Sequence, residues 1–160
     1  MKLLVFSDSH GRGKNILEAI ENHGGVADAI VFLGDGISDI DAVKKKYDKI
    51  PVFAVKGNCD FFDFNDTPEE ILVNFDGIKI LLCHGHKYGV KSSLMSIVYR
   101  CAELEADAVF FGHTHIPMES TEYVGEKRIQ IINPGSIGLS HSYGVVNTSG
   151  KVLVLSHGSI

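Results

Sequence analysis

The chain has 160 residues, 44% hydrophobic and 22% charged, which suits one domain with a substantial core and lies outside the composition of disordered chains. A formal charge of -5 gives a long phosphate polymer little non-specific attraction, so no stable nucleic-acid partner is expected. Cys59, Cys83 and Cys101 form neither a C-x-x-C pair nor an even framework, which argues against disulfides and a zinc knuckle and for a reducing cytoplasm.

Residues 3–6 form an apolar run far short of a signal peptide's core or a membrane span, so they read as a first strand and no membrane association is expected. Asp8 and His10 follow it, and Ile16, Leu17 and Ile20 then repeat at helical spacing. The run 30–33 leads to Asp35. A weaker helix covers 37–47, with Asp39 and Asp41 at its start and Lys44, Lys45 and Lys46 at its end, where the helix dipole favours each sign. The run 52–55 leads to Gly57-Asn58. Runs 71–75 and 78–83 flank Asp76-Gly77, a strong hairpin signal, and His84 and His86 come next. Leu94, Ile97, Val98, Cys101 and Leu104 mark a longer helix, and the run 108–111 leads to His113 and His115. Further strands are read at 129–132 and 152–155, with a weaker hairpin signal at Gly125-Glu126 and a link between extended segments at Thr148-Ser149-Gly150. Strand and helix alternate in the first half, which implies parallel strands; the turns of the second half imply antiparallel pairs. An α/β chain with two mixed β-sheets packed face to face and helices outside is therefore expected.

Seven potential metal ligands sit in these strand-end turns: Asp8, His10, Asp35, Asn58, His84, His113 and His115. Polar groups just beyond the carboxyl ends of neighbouring strands in an open α/β sheet converge on one crevice. Taken singly, Asp8 or Asp35 reads as a helix cap, Asn58 as a turn residue and His84 as a satisfied, partly buried histidine. Their conjunction weighs against that. Five of the eight histidines, His10, His84, His86, His113 and His115, fall in three such turns, where capping chemistry has no use for imidazole. Carboxylates and imidazoles gathered without a cation would suffer desolvation, whereas divalent ions turn the same groups into ligands. Imidazole with carboxylate and one amide oxygen suits Mn, Ni, Co, Fe or Zn better than Ca or Mg. Seven ligands fit two ions better than one. One Asp can then bridge ions about 3.5–4 Å apart, with a bridging hydroxide as nucleophile on a phosphate ester.

The blocks Ser7-Asp8-Ser9-His10-Gly11, Leu33-Gly34-Asp35, Lys56-Gly57-Asn58-Cys59-Asp60, His84-Gly85-His86, Gly112-His113-Thr114-His115 and Asn133-Pro134-Gly135-Ser136 span nearly the whole chain. In them the sequence resembles the calcineurin-like metallophosphoesterase superfamily, and specifically its small cap-less branch of YfcE-like phosphodiesterases. The resemblance implies a single metallophosphoesterase domain over residues 1–160 with a four-layer αββα sandwich, the metallo-dependent phosphatase fold. It implies that Asp8, His10 and His115 bind one metal, that Asn58, His84 and His113 bind the other, and that Asp35 bridges both. A homodimer or higher homo-oligomer is a further expectation from it. The block 133–136 reads from sequence as a structural Pro-Gly turn.

Many relatives carry Gly-Asn-His at the third motif, where this chain has Cys59. A neutral thiol is a poor general acid at pH 7, so Cys59 reads as a small packed residue, and diesters with good leaving groups, such as aryl diesters, are the expected substrates. His86 reads either as the replacement proton donor and phosphate contact or as a partner that orients a ligand. Arg12 reads either as a phosphate contact or as a solvated helix-entry residue. The expected function is a metal-dependent phosphodiesterase acting on a small phosphodiester. Asp35, Asn58 and His86 are its catalytic candidates, and Asn58, His86 and Arg12 its candidate substrate contacts. The alternative is a phosphomonoesterase or pyrophosphatase on the same site, and the rival from another class is a non-catalytic scaffold of the same fold.

Overall fold

The computed structural model describes residues 1–63 and 65–160. Among these, ten strands and three α-helices run in the order β1 (Lys2–Phe6), α1 (Gly13–Asn22), β2 (Ala29–Phe32), α2 (Asp39–Lys46), β3 (Val52–Ala54), β4 (Glu70–Phe75), β5 (Ile78–Cys83), α3 (Met95–Glu103), β6 (Ala108–Phe110), β7 (Met118–Val124), β8 (Lys127–Asn133), β9 (Ser142–Ser149) and β10 (Val152–Ser159). They build two five-stranded sheets. The first has the order β10-β9-β1-β2-β3, with β1, β2 and β3 parallel and the other two antiparallel. The second has the order β4-β5-β6-β8-β7, with β5, β6 and β8 parallel and an antiparallel strand at each edge.

The parallel strands β1, β2, β5 and β6 are apolar almost throughout because both of their faces are buried, Lys2 and Lys79 being the exceptions. On β1, Leu3 and Val5 enter the core between the sheets, while Leu4 and Phe6 pack under α1 and α2. On β5, Ile80 and Leu82 face the other sheet, and Leu81 and Cys83 face α3. Each helix answers with one stripe: Ile16, Ala19 and Ile20 on α1, Ile40 and Val43 on α2, Ile97, Val98 and Cys101 on α3. Three hydrophobic cores thus separate four layers, helix on sheet on sheet on helix. Phe6, Phe32 and Phe110 are fully buried, and truncating any of them to Ala costs about 3–5 kcal/mol.

Asp76 and Gly77 both have positive φ, 53° and 82°, as a type I′ hairpin turn requires. Neither Asp8 nor Asp35 caps a helix: the N-cap positions of α1 and α2 are Arg12 and Ser38. Asp39 begins α2, but its Oδ2 accepts from Ser9 Oγ at 2.5 Å and from the Gly11 N–H at 3.0 Å, bracing the first turn of the crevice. Among the described residues no helix is long and apolar enough to cross a membrane.

Candidate metal centre

The parallel strands of both sheets end around one crevice, and backbone hydrogen bonds tie their turns together. The Asp8 N–H donates to Gly34 O at 2.9 Å, the His10 N–H to Asp35 O at 3.0 Å and the Gly112 N–H to His84 O at 3.1 Å. Five residues of these turns have left-handed backbone: Asp8 (φ 55°), His10 (46°), Asp35 (59°), His113 (66°) and His115 (61°). Each such conformation costs about 1–2 kcal/mol for a residue with a Cβ. The strain is concentrated where side chains must be aimed. Two glycines make room for the carboxylates: a Cβ on Gly57 would overlap Asp35 Oδ1, and one on Gly112 would overlap Ser7 Oγ and lie 2.7 Å from Asp8 Oδ2.

The donors fall into overlapping groups whose atoms all lie within 4.8 Å of one another: Asp8, His10 and His115; Asp35, His84 and His113; and His10, Asp35 and Cys59. Asp8 Oδ1 lies 3.0 Å from His115 Nε2, 3.8 Å from His10 Nε2 and 3.9 Å from His84 Nε2. Asp35 Oδ2 lies 3.4 Å from His84 Nε2 and 4.0 Å from His10 Nε2, so Asp35 reaches from its own group with His84 to the His10 of the first group. Asp8 Oδ2 is held by Ser7 Oγ at 2.5 Å and by the His113 N–H at 3.0 Å, leaving Oδ1 to the crevice. His84 Nδ1 lies 2.7 Å from Leu33 O, so it is the donor there and Nε2 is turned inward. Asp8 Oδ1 and His84 Nε2 are buried and, among the described residues, have no hydrogen-bond partner. An unsatisfied buried polar atom costs about 1–3 kcal/mol. A cation shared by these atoms removes that cost, and imidazole nitrogen with carboxylate oxygen is a donor set that fits divalent transition ions.

Burial opposes ionisation of Asp35, yet His84 and the Cys59 N–H, 2.8 Å from Oδ1, hold its carboxyl well below the usual carboxylate range. Burial pulls the His84 pKa down, but the facing Asp35 and Asp8 carboxylates raise it overall. Burial and the neighbouring His84 push His113 down to about 4 and lower His86 as well.

The remaining candidates stand at the margins. Asn58 is exposed on the turn after β3, its Nδ2 donating to Cys59 Sγ at 3.3 Å. His86 packs its ring 5.4 Å from that of His84, and its buried Nδ1 has no partner among the described residues. Arg12 is not in any of the donor groups; it lines a separate cleft between α1 and α2 with Lys14 and Ser38. Cys59 corrects its expected role as a packed residue: it is exposed, and its Sγ belongs to a donor group with His10 and Asp35. The turn after β3 points outward because Asp60, not Cys59, is the residue drawn inward.

Sequence reasoning passed over two braces. Asp60 accepts four backbone N–H groups at 2.7–2.8 Å, from Asp35, Gly36, Ile37 and Gly57, locking two turns of the crevice together. Buried Asn133 donates from Nδ2 to Gly112 O at 2.9 Å and to Thr114 Oγ1 at 3.0 Å, holding the turn of His113 and His115. The readable signal was the glycine directly before a donor, in Gly34-Asp35, Gly57-Asn58 and Gly112-His113, since crowded turns need that space.

Layers and donor set together define a metal-binding class of fold. The model of the calcineurin-like phosphoesterase superfamily domain matches residues 1–157, and the chain belongs to that family. The probable metallophosphoesterase YsnB of Bacillus subtilis is 39% identical over 139 residues, covering 87% of this chain and 76% of that protein. Phosphodiesterase YfcE of Escherichia coli K12 is 29% identical over 190 residues, covering 100% and 95%. Among solved structures, a predicted phosphoesterase from Streptococcus pneumoniae TIGR4 superposes with a TM-score of 0.79 at 26% identity, covering 99% of this chain and 88% of that one. Vps29 from Entamoeba histolytica, as a single mutant, has a TM-score of 0.73 at 20% identity over 100% of this chain and 99% of its own, a likeness of fold alone.

Proposed function

We propose that this chain is a phosphodiesterase that holds two divalent transition ions, one at Asp8, His10 and His115 and one at Asn58, His84 and His113, with Asp35 shared. The observation that carries the reading is the pair of buried, unpartnered atoms, Asp8 Oδ1 and His84 Nε2, facing each other among the other imidazoles. When bound, such ions supply a hydroxide nucleophile near neutral pH and clamp the non-bridging oxygens of the phosphate. The chain's own part is to aim and to hold charge. Asp35 stays ionised throughout the working range, and Ser7 and Leu33 fix the donor faces of Asp8 and His84.

The chain offers the leaving oxygen little acid. Partial burial and the Asp35 carboxylate push the Cys59 thiol up to about 11, so it is a weak proton donor at neutral pH. His86, its pKa lowered by burial and by His84, is a neutral ring there, suited to donating one hydrogen bond to a phosphate oxygen. Both features favour diesters with good leaving groups, for which protonation matters least. The name of the YfcE relative, a phosphodiesterase, points the same way.

The test is a substrate panel on protein stripped by chelator and reloaded with Mn, Ni, Co or Zn. Aryl diesters should be hydrolysed faster than aryl monoesters, pyrophosphate and cyclic nucleotides, and Asp35→Ala should lose turnover that added metal does not restore. A preference for monoesters or pyrophosphate would transfer the same site to the alternative reaction. Wild-type turnover by Asp35→Ala would remove the two-ion assignment.

A further inference from the structure

Phe61 and Phe62 are 82% and 83% exposed, more than any other large hydrophobic side chain described, and they directly follow the turn that carries Asn58 and Cys59. Apolar rings left in water at the rim of a polar crevice mark a contact surface. These two flank a cleft of about 430 Å³ that runs from Cys59 past Ile37 and Ser38 of the α2 entry. Cys59, which lines this cleft, has its Sγ within 4.8 Å of donor atoms of His10 and Asp35, so the cleft adjoins the donor cluster through that residue.

The segment bearing the rings is anchored to the crevice at its leading end and turned locally at its far end. Asp60, just before them, is bonded to four N–H groups of the crevice turns. Asp63, just after them, accepts the Asn65 N–H at 3.0 Å and the Thr67 N–H at 2.5 Å. The Asp60 bonds thus anchor the chain to the crevice turns one residue before Phe61, which lowers the ordering cost of a ligand that touches both rings and donors. The charged groups among the described lining residues, Asp41, Asp60 and Asp63, are all acidic. Such a cleft repels any further anionic group and accepts N–H donors.

We propose that Phe61 and Phe62 form a stacking subsite for one arm of the phosphodiester, an uncharged planar ring, either an aryl group or a nucleobase. The proposal rests on the phosphodiesterase reading above and adds what selects its substrate. Stacking on an aromatic side chain changes affinity by about 5- to 150-fold per ring.

Calorimetric titration of metal-loaded protein with methyl phosphate, phenyl phosphate, thymidine 5′-monophosphate and thymidine 3′,5′-bisphosphate tests it, with released inorganic phosphate assayed so that binding heat is read apart from any hydrolysis. Phenyl phosphate or thymidine monophosphate should bind about 5- to 150-fold tighter than methyl phosphate, and the bisphosphate should gain nothing over the monophosphate. Phe61→Ala and Phe62→Ala should remove the ring preference and leave methyl phosphate binding unchanged. Both positions are exposed, so an unaltered melting temperature checks that the variants fold. The order of the phenyl and thymidine arms tells an aryl from a nucleobase subsite. Wild-type binding of methyl phosphate with no ring preference would overturn the subsite and leave the phosphoesterase reading standing; binding of no phosphate at all would remove both. If the alanine variants instead dissociate an oligomer in sedimentation and keep the ring preference, the rings belong to an interface between copies and the subsite falls.

Discussion

The side chains of His84 and Asp35 are 0% and 3% exposed, whereas those of His10 and His115 stand at 28% and 32%. The inner group is positioned by packing and by hydrogen bonds on several sides: Leu33 O on His84, the Cys59 N–H on Asp35, Asp60 beneath both turns. The outer imidazoles depend on left-handed backbone at positions 10 and 115; His10 is tied through its main chain to Asp35 O, and His115 meets Asp8 Oδ1 through its ring. Nε2 of His10 and of His115 are 3.4 Å apart at the crevice mouth. One crevice thus pairs a rigid donor group with a solvent-facing one, and the two should hold an ion with different firmness.

The largest expected effect breaks that pairing one side at a time. Losing a residue that only orients a ligand costs about 10–100-fold in metal affinity or activity, so losing a donor should exceed about 100-fold. His84→Ala should lose activity by more than that, with little recovery at high metal, because the neighbouring Asp8 and Asp35 carboxylates stay buried and the vacated position is closed to solvent. His10→Ala should lose less, and a metal titration should bring much of it back, since water can take the vacated exposed position. Equal rescue of the two variants would erase the distinction between inner and outer groups.

A smaller effect is expected from the brace beneath the inner group. Asp60→Asn replaces one acceptor oxygen by an NH₂ that faces backbone N–H groups it cannot accept from. The expected cost is about 1–3 kcal/mol in urea unfolding of the metal-free protein, for the N–H groups left unpaired. Activity should fall about 10–100-fold as the turns of Asp35 and Asn58 loosen. If Asp60→Asn weakened the outer group as much as the inner one in a two-step metal titration, the crevice would be one mechanical unit rather than two.

The same contrast separates what the chain discloses as text from what it does not. Strands buried on both faces, such as β1 and β5, are legible because nearly every residue is apolar, Lys2 and Lys79 excepted, and the donors are legible because each follows an apolar run. β7 is less so: the weak Gly125-Glu126 hairpin signal implies a strand before it, but Glu119, Ser120, Thr121 and Glu122 form no apolar run, because as the edge of its sheet this strand needs only partial cover. β9 is read only as an extended segment before the Thr148-Ser149-Gly150 link, without bounds, since Gly144 interrupts its apolar pattern while sitting in the strand against Val5 and Leu155. At the crevice, residue types announce imidazole and carboxylate chemistry, whereas the braces are an ordinary Asp and Asn that gain meaning only from what they touch. The exposure of Cys59 was likewise hidden, because a cysteine in a Gly-Asn-Cys-Asp turn carries no mark of which neighbour faces in.

The smallest expected effect concerns the wall behind the inner group. Glu70 pairs across β4 and β5 with Cys83, the residue before His84, and its carboxylate takes hydrogen bonds from Tyr88 Oη and, at 2.6 Å, from Arg100. Partial burial works to raise its pKa, but Arg100 and Tyr88 lower it overall from the ordinary 4.5. A carboxyl depressed in the folded state contributes its full stabilisation above the unfolded value, and that contribution fades as pH falls below 4.5 and through the folded pKa. Glu70→Gln should therefore lower the melting temperature of the metal-free protein at neutral pH, by about 0.2–1 kcal/mol in stability, and the gap to wild type should close in acid. A gap that stayed constant from neutral pH down to pH 3 would mean that Glu70 acts through packing against Tyr88 rather than through its charge, and that the inner group is held by shape alone on that side.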